Sequence, residues 1–462
     1  MEFFMRLNRR FKLQLIILAL VSFLGGTIFN ICQGKFNQNL KAAEQKNISN
    51  DPLLLSVKET LENSIDKGDE WPASVNFQGN TLNIQYTFNE DLTRYVKSLL
   101  RQYHTDYTTV TILDNETGKV LAAVGYKGAD NKFDKKLVLT STHPSASLIK
   151  VITSAELLEK TSVTKDTVFD FKGRSTTLFK YQLNDTKSRR ATPQSFELAF
   201  AKSNNVIFGK AAIKNTTSDS LMRMAEGFGF NQPILKELPS LRSEISKALD
   251  DYNFAEIASG YNDETVISPI HAASISSIIA NDGQMIKPTL IEKVVSQKSG
   301  ENLWNYELEK KTVISPETSK AMKVMMAMTV EDGTARKPFK KMRLSYKDAL
   351  DIGGKTGHIT GGVPYGKRDW FSAYAVPKEK EKGKGISIAV MNVNVKKWHV
   401  KSSQLARNII EYYYRTINPI VSNVPNDTTI EVDERINRRL KKKSKFKKSK
   451  IINSKIKKQK RA

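Results

Sequence analysis

The sequence predicts a mixed α+β protein held at a membrane, and three observations carry that prediction. Alternating apolar and polar residues place strand pairs toward both ends, at 108–113 with 119–125 and at 370–376 with 386–395. Between them, residues 145–280 are dominated by helical periodicity, so strands and helices are segregated along the chain. Ahead of both lies an uncharged apolar stretch, residues 13–34, long enough to cross a bilayer as a helix.

That stretch sets the topology. Arg6, Arg9, Arg10 and Lys12 precede it against a single Glu2, which keeps residues 1–12 in the cytoplasm and puts the rest outside. No small-residue cleavage site follows closely, so a single-pass anchor is favoured over a cleaved signal peptide. The expected location is the cytoplasmic (inner) membrane, with the bulk of the chain on the periplasmic or extracytoplasmic side.

The chain of 462 residues carries a formal charge of +25, unevenly spread. Residues 435–462 hold fifteen Lys/Arg and no Asp/Glu, leaving +10 for everything else, so the basic character belongs to the tail. A disordered polycation is expected over 419–462, with anionic lipid or an anionic wall polymer as its partner. Nucleic acid is not expected on that side of the membrane. One cysteine, Cys32, excludes an intramolecular disulfide and any thiolate-based zinc cluster. Five scattered histidines form no His-x-x-x-His pair, so neither a metal nor another cofactor is expected.

Taken in order, residues 35–90 read as a stalk and a small membrane-proximal segment: a polar stalk over 35–55, then a helix and a strand pair over 56–90, with strand alternation over 81–88. Residues 91–102 form an amphipathic helix on Leu92, Tyr95, Val96, Leu99 and Leu100. Two strands follow around a tight turn at Asn115-Glu116-Thr117-Gly118. A helix is expected over 145–159, starting at Pro144-Ser145. Residues 161–192 read as basic loop and strand, and one helix is expected from Pro193 to Lys214. Residues 216–280 are mainly helical, strands alternate over 289–312, and a Met-rich helix starts at Pro316. Strands close the pattern before a last helix over 402–414.

Three short motifs carry chemistry. Ser147-x-x-Lys150 puts a hydroxyl and an amine on one helical face near free backbone N–H groups. A lysine kept neutral by burial takes the serine's proton and makes it a nucleophile. Ser-x-x-Lys occurs five times here, and only the apolar helical setting singles out Ser147. Ser203-x-Asn205 supplies a hydroxyl for proton relay and an amide to hold substrate or orient Lys150. Lys355-Thr356-Gly357 sits on a strand, where lysine and threonine suit a carboxylate and glycine lets a ligand's backbone lie close.

In this order the three motifs resemble the penicillin-binding protein transpeptidase domain of the serine D,D-peptidase and β-lactamase superfamily. The resemblance spans residues 91–418. It implies a β-lactamase/transpeptidase-like fold: a central, mostly antiparallel sheet flanked by helices, with a helical subdomain. By the same resemblance Ser147 is acylated, Lys150 is its general base, and Ser203 and Asn205 wall the cleft. Lys355 and Thr356 bind the substrate carboxylate beside Gly357, and the N–H groups of Ser147 and His358 form the oxyanion hole. His358 departs from the small residue usual there and sets a ring beside the carboxylate site. The implied reaction is D,D-transpeptidation of peptidoglycan stem peptides ending in D-Ala-D-Ala, with β-lactams as inhibitors and cell-wall assembly proteins as candidate partners. A D,D-carboxypeptidase or endopeptidase is the nearest alternative. A β-lactamase and a non-catalytic cell-wall scaffold are weaker ones.

Overall fold

The computed structural model describes residues 51–184, 191–395 and 397–421. The anchor expected at 13–34 lies outside these residues, as does all but the first few residues of the expected basic tail. Among the described residues no helix is long and apolar enough to cross a membrane.

The described chain opens with the helix Pro52–Glu62, capped by the Asp51 carboxylate on the Leu53 and Leu54 N–H groups; it is the helix expected after residue 56, begun four residues earlier. Strands β1 (Ser74–Phe77) and β2 (Asn80–Tyr86) follow, then the amphipathic helix Glu90–Tyr103, which Asn89 caps. β3 (Tyr107–Asp114) and β4 (Val120–Lys127) turn about Asn115–Gly118, and a short β5 (Lys132–Phe133) ends this half of the central sheet. The other half is made of β14 (Leu350–Gly361), β15 (Gly366–Pro377) and β16 (Ile386–Asn394). Those twelve-residue β14 and β15 strands pair along their whole length. The sheet order is β14-β15-β16-β3-β4-β5, and every pair is antiparallel. This is the mixed α+β arrangement that the patterning predicted, with the antiparallel central sheet that the family resemblance implied.

Everything from 134 to 349 is inserted between the two halves. One face of the sheet is covered by the helices Glu90–Tyr103 and Ser402–Tyr412, together with Phe339, Met342 and Tyr346. The other face packs on the helix Pro269–Ala280, all of whose residues are buried. That explains why its apolar residues occur all round it: a helix enclosed on all sides has no separate solvent face. Ser276, on that helix, reaches the Ser372 hydroxyl of β15 at 2.5 Å.

The strands expected over 289–312 do not all pair with each other. β11 (Ile291–Ser296) and β12 (Asn302–Asn305) join β1 and β2 in a four-stranded sheet. β13 (Lys310–Thr312) instead pairs with β10 (Gln284–Ile286). Leu53, Val57, Leu61, Val75, Leu82 and Ile84 thus share one core with the inserted helices. Local periodicity marks a strand but not its distant partner, so the pairing of β2 with β11 does not follow from it.

Two expected helices are also broken. The 145–159 element begins as β6 (His143–Pro144), paired with β9 (Val266–Ile267), continues as a 3-10 turn at Ala146–Ile149, and becomes α-helical only over Lys150–Lys160. The 193–214 helix is split. β8 (Thr192–Ser195), which pairs with β7 (Val168–Phe171), leads into the helix Phe196–Ala201. A second helix, Asn205–Asn215, follows a corner where Ser203 has φ +59°. Asn204 caps the second helix through the Ile207 N–H.

Candidate active site

The two breaks put functional side chains where a continuous helix would not. Ser147 lies in the 3-10 turn, where residues three apart eclipse each other, so Lys150 stands directly over it. Lys150 Nζ is 2.9 Å from Ser147 Oγ. The turn is forced by Ala146, whose φ of +48° is a conformation costing a non-glycine residue on the order of 1–3 kcal/mol. Such strain persists only where surroundings hold it. Here Gly260 backs against the Ala146 carbonyl, so closely that a Cβ on it would lie 2.0 Å from that oxygen.

Lys150 is fully buried and has two further contacts, to Asn205 Oδ1 at 2.7 Å and to the Ser259 carbonyl at 2.5 Å. Burial, with the Lys355 cation as the second cause, pulls its pKa well below the usual lysine value. A neutral amine has two N–H bonds and one lone pair. The Ser259 carbonyl can only accept. Asn205 also presents its oxygen, because its Nδ2 donates to the Thr176 carbonyl at 3.0 Å. In the neutral form both N–H bonds are therefore spoken for, which leaves the lone pair for the Ser147 hydroxyl.

Lys355 stands on β14 and points across the cleft. Its Nζ donates to Ser203 Oγ at 2.9 Å and to the Thr356 carbonyl at 2.9 Å. Complete burial lowers its pKa to about 7. Ser203 thus sits at the corner between two helices with a lysine on it, and Asn205, two residues on, touches the other lysine. Thr356, on the opposite face of the strand, hydrogen-bonds Thr334 Oγ1 at 2.6 Å. Thr334 in turn is tied to the Ala201 carbonyl through its N–H at 3.1 Å. Gly357 packs against the turn itself: a Cβ there would lie 3.3 Å from the Ser147 nitrogen and 3.2 Å from Ala146 Cβ. β14 is an edge strand of the sheet, so its outer backbone groups border this cleft.

His358 behaves differently from expectation. Its Nε2 lies 2.7 Å from Asp369 Oδ1, directly across the β14–β15 pair, and its ring packs by Trp398. Asp369 is buried and also accepts from the Ser402 N–H at 2.8 Å. The ring is therefore held toward β15. A carboxylate directly across a strand pair from a histidine was readable only once the strand register was known.

The structure brings Ser147, Lys150, Ser203, Asn205, Lys355, Thr356 and Gly357 into one cleft from segments up to 210 residues apart. The sequence reading missed Ser259 and Gly260, which act through a carbonyl and through the lack of a side chain. Neither carries a side-chain signal. Among the described residues no cluster of three or more His, Cys, Asp or Glu is placed to hold a metal ion.

Comparison with known proteins places the chain in a family and a fold. Residues 108–411 match the penicillin binding protein transpeptidase domain. Penicillin-binding protein 3 of Bacillus subtilis is 25% identical over 238 residues, covering 50% of this chain and 33% of that protein. The peptidoglycan D,D-transpeptidase PbpA of Mycolicibacterium smegmatis is 26% identical over 165 residues, covering 34% and 32%. The chain thus spans about a third of the length of these relatives. In fold it is similar to the D,D-transpeptidase domain of a peptidoglycan glycosyltransferase from Eggerthella lenta, with a TM-score of 0.59 and 20% identity. That match covers 74% of this chain and 84% of the other. PBPA from Mycobacterium tuberculosis matches with a TM-score of 0.56 and 20% identity over 76% and 86%.

Proposed function

The chain belongs to the penicillin-binding protein transpeptidase family, and from that premise we propose that it is a membrane-anchored serine D,D-transpeptidase acting on peptidoglycan stem peptides. The observation that carries the proposal is the environment of Lys150: buried, with its neutral form favoured, and with both N–H bonds directed at fixed acceptors.

Ser147 Oγ attacks the carbonyl carbon of the penultimate D-alanine while its proton passes to the Lys150 lone pair. The oxyanion is taken up by the Ser147 and His358 N–H groups, in the narrow space beside Gly357. Lys355 and Thr356 hold the terminal carboxylate, and the donor peptide lies extended along the free edge of β14. Collapse of the intermediate breaks the peptide bond. The proton held by Lys150 returns to the leaving amine by way of Ser203, releasing D-alanine and leaving an ester on Ser147. An acceptor amine then attacks the ester, its proton going to Lys150, and a new peptide bond replaces the old one. Water as acceptor gives the D,D-carboxypeptidase outcome.

A β-lactam offers a strained amide and a carboxylate with similar spacing, and stops at the ester. The test is covalent labelling with a fluorescent penicillin, followed by tracing products from a stem-peptide substrate. Wild type is labelled and releases D-alanine with formation of a cross-linked dimer, and Ser147→Ala is not labelled. Labelling of Ser147→Ala at the wild-type rate would overturn the assignment, and release of D-alanine without dimer would make the enzyme a carboxypeptidase.

A further inference from the structure

The six-stranded sheet has two ends, and one of them gathers features that the acylation chemistry does not use. Leu350 opens β14 opposite Pro377, which closes β15, while Ile386 opens β16 opposite Asp114 of β3. The described chain enters and leaves at this end. Asp51 lines a cleft with Lys287 and Thr289, and the Lys287 carbonyl abuts Gly118 of the β3–β4 turn. At the other terminus the Ile420 carbonyl accepts from Lys382 Nζ at 2.7 Å. The cleft serine lies further along, since Lys355 is five residues up β14 from Leu350, or ~17 Å.

Cations converge here from separate segments. Lys347 Nζ donates to the Lys340 carbonyl at 3.0 Å, and Lys378 Nζ lies 3.5 Å from the Lys347 carbonyl. Lys340, Lys341, Lys347 and Lys378 have no carboxylate within ion-pair distance among the described residues; three of them are exposed and Lys347 is half-buried. Lys380, Lys382 and Lys384 follow on the next turn, and Glu379 pairs with Lys382. Asp348, Asp351, Glu379 and Glu381 stand among these lysines, with Asp114, Glu116 and Glu411 at the margins of the same end, and none of them pairs with Lys340, Lys341, Lys347 or Lys378. In the middle of the lysines Leu344 is 70% exposed, between the buried Met342 and Tyr346. Lysines with no carboxylate paired to them repel one another, and an exposed leucine adds an apolar point among them. Water alone rewards neither, whereas an interface of anionic headgroups over acyl chains accommodates both.

We propose that this sheet end, centred on Leu344 with Lys340, Lys341, Lys347 and Lys378, docks on the anionic lipid surface of the membrane and holds the Ser147 cleft facing away from it. Only 16 residues separate the apolar stretch 13–34 from Asp51, a reach of at most ~55 Å, so the tether keeps the domain within range of the bilayer. The inference rests on the anchored reading given above.

The test uses the full chain in lipid nanodiscs with brominated acyl chains, carrying Leu344→Trp as the reporter and the parent chain as background. Quenching of the reporter should be at least about twofold stronger in anionic than in zwitterionic lipid. The difference should vanish in about 0.5 M salt, where the Debye length falls to a few ångströms. It should vanish too when Lys340, Lys341, Lys347 and Lys378 are all changed to Gln, although the basic tail remains. Equal quenching in both lipids, or none, overturns the proposal. So does an emission change that soluble poly(glycerol phosphate) produces and the bilayer does not, which would assign the surface to a wall polymer. Fluorescent-penicillin labelling of every variant should match the parent. A parent that fails to label would count against the transpeptidase reading and leave the lipid readout standing.

Discussion

Asn205 Oδ1 faces Lys150 Nζ at 2.7 Å because the other end of the same amide is fixed on the Thr176 carbonyl. The amide gives Lys150 an acceptor without giving it a countercharge. Asn205→Asp would supply that charge and raise the lysine's pKa by roughly 1–3 units. At neutral pH Lys150 would then hold its proton and have no lone pair for Ser147. Penicillin acylation should fall ~10–1,000-fold and recover as pH rises. A pH series of acylation rates from stopped-flow or gel labelling decides it, and a variant as fast as wild type at neutral pH would refute this account.

Lys355 gives the second prediction. With its pKa lowered to about 7 in the free enzyme, it is a cation below that pH and loses its charge above it. Lys150 has the opposite requirement, becoming useful as pH rises through its own lowered value. The second-order rate of acylation should therefore be bell-shaped, with the alkaline limb near 7 belonging to Lys355. The first-order rate at saturating penicillin should lose that limb, because a bound carboxylate keeps Lys355 charged. Lys355→Arg, which stays protonated, should show no alkaline limb in whatever activity remains. A limb unchanged in that variant would assign it elsewhere.

Gly260 and Gly79 form a matched pair. Both have positive φ, +66° and +76°, so alanine costs each about 1 kcal/mol of backbone strain. Only at Gly260 does the new Cβ meet a backbone oxygen, at 2.0 Å from Ala146 O, whereas nothing lies within 4 Å at Gly79. Gly260→Ala should displace the nucleophile turn and slow acylation ~100-fold, the usual effect of moving a reacting group by about 1 Å. Gly79→Ala should lower the melting temperature slightly and label at the normal rate. Equal acylation in the two variants would show that the Ala146 turn does not depend on Gly260.

The ring of His358 is held by Asp369, so on the proposed mechanism only its backbone N–H serves the oxyanion. Replacing the ring by His358→Thr should change acylation by no more than about threefold, as for a surface substitution worth ~0.5 kcal/mol. Asp369→Asn should act on stability instead, because its carboxylate bonds both His358 and the Ser402 N–H. Acylation rates and melting curves of the two variants separate the roles. A loss of tenfold or more in His358→Thr would mean that the ring reaches the substrate.

What the sequence determined by itself is whatever depends on near neighbours. Ser147 and Lys150 are three residues apart, and any helical turn, 3-10 or α, stacks them. The strand patterning of residues 108–125 and 370–395 marks the central sheet, and the strands read as largely apolar because both of its faces are buried under helices. The order of the three motifs along the chain identified the family. Tertiary structure decided what depends on distant segments. It paired β1 and β2 with β11 and β12 across some 200 residues, a choice that strand periodicity leaves open. It broke two helices at Ala146 and Ser203, each in a left-handed conformation that propensity disfavours and only the surrounding packing enforces. It turned His358 to Asp369, whose position follows from strand register. It also buried Lys150 and Lys355 completely, and burial, more than residue type, makes an amine a base at neutral pH.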